Sequence, residues 1–187
     1  MRIQEQIIQY IPYNEQEERD LELIKRSLEM PDVFTRENTI CHMTASAWVV
    51  NPTHDKVLMA FHNIYHSWSW LGGHADGEED LQLVALKEVQ EESGVKNPRI
   101  LLDDIFSIEV LTVDGHIKNG KFVSSHLHLN VTYLIEADDN DDLLVKEDEN
   151  SDVAWFGLDA AIEASTEPWF KEYVYPKLNE KLSKLSL

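Results

Sequence analysis

The chain has 187 residues, enough for one domain with appendages and a sizeable core. With 35 acidic and 16 basic side chains its formal net charge is −19 at pH 7, which opposes tight binding to nucleic acid. A small phosphorylated substrate is not excluded, because metal ions can neutralise a site locally. No apolar run reaches the length of a membrane span, the N-terminus has no signal-peptide core, and a single cysteine (Cys41) allows no internal disulfide; a cytoplasmic enzyme without a membrane partner is the expectation.

Residues 1–38 read as a helical extension. Asn14 followed by Glu17 has the form of an N-terminal cap, and Leu21, Ile24 and Leu28 make a narrow apolar stripe that ends at Pro31. Such an extension either packs on the core or serves a homodimer contact. Residues 40–50 read as a strand, Asn51–Asp55 as a turn and residues 56–61 as a second strand. Cys41 reads as a small buried hydrophobe. Trp68 and Trp70 fall on one face of a short extended run, where they could stack on a nucleobase or fill the core.

A helix follows the Gly72-Gly73 loop. Leu81, Val84 and Ala85 line one face at helical period, and the same face continues into Glu88, Glu91 and Glu92. At helical spacing those three side chains span roughly 100° of arc, so their carboxylates can converge. Like charges brought that close repel unless a cation lies between them, and oxygen donors favour a hard ion, Mg2+ or Mn2+. The plainer alternative is a solvated acidic face on an acidic protein.

Beyond the helix, Ile105–Val113 reads as a strand, with turn signals at Asp114-Gly115 and Asn119-Gly120. Ser125–Glu136 alternates: Leu127, Leu129, Val131, Tyr133 and Ile135 on one face, His126, His128, Asn130 and Thr132 on the other. His126 and His128 are candidates for metal or substrate contact, against a polar face that is simply wet. In the acidic stretch 136–152, Asp138, Asn140, Asp142 and Glu149 fall at calcium-loop positions, but Leu143 stands where that loop needs glycine. Glu147 or Glu149 is instead a candidate extra base or metal ligand. A short strand at Asp152–Phe156, a helix at Leu158–Ala164 and a helical tail from Trp169 with a break or kink at Pro176 complete an α/β chain.

Residues 73–95 resemble the Nudix box. Gly73, Glu79, Glu88, Val89, Glu91, Glu92, Gly94 and Val95 fill eight of its nine fixed positions, and Lys87 stands in place of the arginine. The resemblance implies a Nudix α/β/α sandwich around a mixed β-sheet at residues 39–165, with an N-terminal extension (1–38) and a C-terminal tail (166–187). It implies hydrolysis of a pyrophosphate bond in a nucleoside diphosphate linked to another moiety, by attack of water on phosphorus. Mg2+ or Mn2+ would be held by Glu88, Glu91, Glu92 and the Gly73 carbonyl, with Glu88, Glu92 and Lys87 as the catalytic set. Lysine offers one compact charge where arginine offers a planar fork, which loosens preorganisation. Trp70, His74, His126 and His128 are the expected substrate contacts.

The alternative is a Nudix-fold nucleotide sensor without catalysis, although retention of all four box glutamates favours the enzyme. An isopentenyl-diphosphate isomerase needs a cysteine in a context that Cys41 lacks. The stretch Glu109–Val113 carries neither the proline nor the tyrosine that marks particular substrates in the family, and the segments around His42 and His74 look like a bacterial subgroup of unassigned specificity.

Overall fold

The structure is a computed structural model that describes residues 2–118, 120–146 and 150–186. Helices α1 (Ile3–Gln9) and α2 (Glu15–Ser27) lead into strands β1 (Cys41–Val50), β2 (Lys56–His62), β3 (Ser67–Ser69) and β4 (Leu71–His74). Helix α3 (Leu81–Ser93) is followed by β5 (Arg99–Ile100), β6 (Ser107–Val113), the small hairpin β7 (His116–Lys118) and β8 (Lys121–Val123), and β9 (His126–Glu136). The chain ends with β10 (Asn150–Gly157), α4 (Leu158–Ala164), a π-helical turn (Phe170–Val174) and α5 (Tyr175–Ser183). No helix among the described residues is long and apolar enough to cross a membrane.

The chain divides into two compact units, and the divisions fall within β1, β4, α3 and β9 and just after β5. The first holds residues up to Ser46, Gly72–Ala85 and Leu102–Tyr133; the second holds Ala47–Leu71, Leu86–Leu101 and the chain from Leu134. In the first, β4 lies beside β1, β1 beside β9, and β6 runs antiparallel to β9 from Ser107↔Thr132 to Val113↔His126. In the second, β10 pairs antiparallel with β2, which also carries β3, and β5 pairs with the end of β9.

The N-terminal extension packs on β6. Asn14 caps α2 as its sequence requires, its Oδ1 accepting from the Glu17 amide at 3.0 Å, and Leu21 and Ile24 are buried. Asp20 accepts from the Val110 amide at 2.9 Å, and Glu17, fully buried, accepts from Tyr10, Ser107 and the Tyr13 amide at 2.7–2.9 Å. Burial beside the Glu17 carboxylate raises the Tyr10 phenol far above its ordinary pKa, so it stays a donor.

Two sequence expectations take a different form here. The irregularity expected at Pro176 is the π-turn directly ahead of it, and Pro176 itself sits in the first turn of α5. The wider turn relieves the clash of the proline ring with the carbonyl four residues back. Trp68 and Trp70 do not share a strand face, because β3 pairs with β2 only through Ser69. Trp68 packs edge-on against Phe61 and Phe156, whereas Trp70 donates its amide to the Tyr175 hydroxyl at 3.2 Å and packs against Phe170.

The polar face of β9 is the larger departure. From Leu129 to Ile135 both faces of the strand are buried, so Asn130 and Thr132 are not wet. Asn130 Oδ1 accepts from Thr44 and Ser46, each at 2.9 Å, and its Nδ2 donates to Glu109 at 3.0 Å, where Thr132 also donates at 3.0 Å. Buried polar groups are tolerated when each finds a partner, and this network supplies them. Asn130→Ala strands two hydroxyl donors and weakens the hold on Glu109. Urea unfolding of that variant is expected to give a loss of about 2–3 kcal/mol, with the m-value unchanged.

Candidate active site

Helix α3 is framed by its own sequence. Asp80 caps it, accepting from the Leu83 amide at 3.1 Å through Oδ1 and from the Val84 amide at 3.0 Å through its carbonyl. Gly94 ends it at φ +73°, its amide donating to the Gln90 carbonyl at 2.9 Å. A Cβ at Gly94 would meet Leu144 Cβ at 2.8 Å, and the Leu144 amide donates to the Ser93 carbonyl at 2.8 Å. Leu81, Val84, Ala85 and Val89 are buried as the apolar stripe requires.

The three glutamates meet three different environments. Glu88 is half-buried, Glu91 is exposed and Glu92 is only 5% exposed. Asn150, the first residue of β10, donates Nδ2 to Glu92 Oε1 at 2.9 Å and fixes that carboxylate. Glu91 lies between two ammonium groups, Lys87 Nζ at 3.6 Å and Lys146 Nζ at 3.7 Å, one toward each carboxylate oxygen. Lys87 is 70% exposed, so its pair with Glu91 contributes only about 0.3–0.5 kcal/mol and orients weakly.

Oxygen donors suit a hard divalent cation. Glu88, Glu91 and Glu92 nevertheless do not converge as their spacing suggests: among the described residues they are not gathered closely enough to form a metal-holding group. Beside Glu92 the buried Asn150 Oδ1 has no hydrogen-bond partner. Gly73 lies half-buried in β4, within the first unit, and Glu147 and Glu149 fall outside the described residues.

The histidines form a separate cluster within the first unit. His42 on β1, His74 at the end of β4 and His128 on β9 bring ring nitrogens within 4.8 Å of one another, the one such three-residue group among the described residues. His126 joins them, its Nε2 3.3 Å from His128 Nε2. Burial lowers the pKa of all three: His42 falls below its ordinary value, His74 to about 3 and His128 to about 2. The positive charge of Arg36 lowers each further. Arg36 also makes a two-pronged ion pair with Asp76, whose negative charge acts on His42 and His74 in the opposite, raising direction. His42 was not singled out from sequence. The available signal was the alternation His42, Thr44, Ser46 along β1, a polar face that meets the polar face of β9 through Asn130.

A sequence profile described as the NUDIX domain matches residues 42–178, well over half of the chain. The chain belongs to the Nudix family. No curated protein sequence matches it significantly. Among solved structures it is similar to a Nudix hydrolase of M. smegmatis, RenU, at 14% identity and a TM-score of 0.57, over 78% of this chain and 88% of that one. It is similar to a C. elegans Ap4A hydrolase in a binary complex at 20% identity and a TM-score of 0.54, over 75% and 94% of the two chains. A Clostridium perfringens hydrolase of the NUDIX family aligns at 19% identity and a TM-score of 0.53, over 76% and 96%. These likenesses establish the fold, the Nudix α/β/α sandwich around a mixed β-sheet. The Nudix match runs to residue 178 and so takes in the π-turn and the start of α5.

The imidazoles of this Nudix domain have a consequence for pH. The folded pKa values of His42, His74 and His128 lie below the ordinary 6.5, so at these three positions the unfolded chain binds more protons between pH 6.5 and about 3. Stability is therefore full above pH 6.5 and declines as pH falls. Thermal melts of metal-free protein are expected to show Tm dropping from pH 7 to pH 5, with a shallower drop for His128→Gln.

Proposed function

We propose that this Nudix domain is a divalent-metal-dependent pyrophosphohydrolase that cleaves a nucleoside diphosphate linked to a second moiety. The observation that carries the reading is the carboxylate face of α3, with Glu92 buried and held by Asn150. Glu88, Glu91 and Glu92 would hold Mg2+ or Mn2+. When bound, such ions neutralise phosphate oxygens and lower the pKa of the attacking water.

The protein's own part is positioning. Asn150 orients Glu92 through one buried hydrogen bond. Lys87 and Lys146 supply positive charge where an anionic substrate approaches an otherwise acidic protein. Glu88 accepts the proton of the attacking water at its carboxylate. In-line attack on phosphorus needs orientation and charge compensation more than covalent help, and this set provides both.

One observation favours the second reading, a nucleotide sensor without turnover. Glu91 is already flanked by two ammonium groups, an arrangement that lowers its need for a cation. Activity separates the two. With Mg2+ present, release of phosphate or nucleoside monophosphate is measured across ADP-ribose, NADH, dinucleoside polyphosphates, nucleoside triphosphates and nucleotide sugars. The enzyme reading expects turnover of at least one, reduced on the order of a hundredfold or more in Glu92→Gln. Tight binding with no turnover of any of them supports the sensor.

Asn150→Ala gives an independent check on the geometry. Removing a group that orients a metal ligand is expected to lower kcat/KM by roughly 10- to 100-fold with Glu92 itself intact. Raising Mg2+ is expected to recover part of that loss, as it would for a weakened metal site.

A further inference from the structure

Four imidazoles stand together in the first unit, with ring centroids 4.8–5.2 Å apart for the pairs His42–His74, His42–His126, His42–His128, His74–His128 and His126–His128. Their hydrogen bonds fix which nitrogen faces inward. His42 Nδ1 lies 3.0 Å from the Asn38 carbonyl and His126 Nδ1 lies 2.8 Å from the Ser124 carbonyl. A carbonyl can only accept, so each Nδ1 carries the proton and each neutral ring turns an Nε2 lone pair toward its neighbours. His42 is 4% exposed, and its Nε2 has no hydrogen-bond partner. A buried acceptor left so costs about 1–3 kcal/mol unless something binds it.

We propose that His42, His74 and His128 hold an imidazole-preferring transition-metal ion, with His126 supplying the fourth nitrogen, at a site separate in chemistry from the carboxylates of α3. Zinc–imidazole bonds of about 2.0–2.1 Å on a tetrahedron set neighbouring nitrogens about 3.3 Å apart. His126 and His128 already stand at 3.3 Å. The ligand atoms of His42, His74 and His128 lie within 4.8 Å of one another, so each of these pairs closes with a movement of at most about 1.5 Å, the difference between 4.8 and 3.3. Ring rotations can supply it.

The surroundings agree with a metal. A ligating histidine ordinarily donates its second nitrogen to a carbonyl or carboxylate, which sets tautomer and ring plane; Asn38 and Ser124 do that here. An all-nitrogen set disfavours Mg2+ and suits Zn2+ and its first-row neighbours. His74, His126 and His128 are only half-buried, which leaves the ion a way in. With four protein nitrogens the site is closed, and the ion clasps β1, β4 and β9 rather than presenting an open position to substrate.

Chelator-stripped protein titrated with Co2+ in excess Mg2+ tests this, the Mg2+ occupying oxygen sites. One equivalent is expected to bind with intense visible bands of tetrahedral cobalt, in wild type and in Glu92→Gln alike, while His42→Gln and His128→Gln lose the bands. Persistence in the Glu92 variant separates this site from the hydrolase reading. No stoichiometric uptake by wild type, or equal uptake in both histidine variants, overturns the proposal. Should those variants fail to fold by circular dichroism, zinc-edge X-ray absorption of the wild-type protein decides. Three or four imidazole nitrogens support the site, and an oxygen-only shell overturns it.

Discussion

A carboxylate in a nearly closed environment must be met by hydrogen bonds or opposite charge, and Glu92 is such a group. Its partner, Asn150, opens β10, so one buried contact ties the last turn of α3 to the start of a strand 58 residues further along the chain. The turn is held from the other side as well. Gly94 takes the left-handed conformation that ends the helix, Leu144 fills the space a side chain there would need, and the Leu144 amide closes on Ser93. The apolar half of α3 supplies burial, and this contact fixes where its acidic half points.

Charge on this chain is distributed by chemistry rather than by sum. The net charge of −19 would repel a phosphorylated ligand, yet around Glu91 two lysines offset part of the local negative charge. Carboxylates on α3 offer hard oxygen donors. The histidines of β1, β4 and β9 offer nitrogen only, and burial lowers the pKa of His42, His74 and His128. Oxygen and nitrogen donors favour different classes of cation.

Sequence periodicity revealed much of this arrangement. The alternation of β9, the Asn14 cap of α2 and the stripe running from Leu81 into Glu92 all rest on local geometry, which is readable residue by residue. What escaped was long-range. Asn130 and Thr132 look like a solvated face until β1 and β6 cover them, and nothing local announces that Thr44, Ser46 and Glu109 will meet them. His42 escaped for the same reason, since its role depends on residues 32 and 86 positions away. Trp70 was misplaced by a strand that ends one residue earlier than its composition suggests.

The central claim is that Glu88, Glu91 and Glu92 are ligands of a hard divalent cation. Anomalous diffraction from crystals soaked in Mn2+ tests it most directly. The account predicts manganese density coordinated by these carboxylates, with the Lys87 and Lys146 ammonium groups drawn off Glu91. A structure in which Glu91 keeps both lysines and no manganese lies beside Glu92 would contradict it.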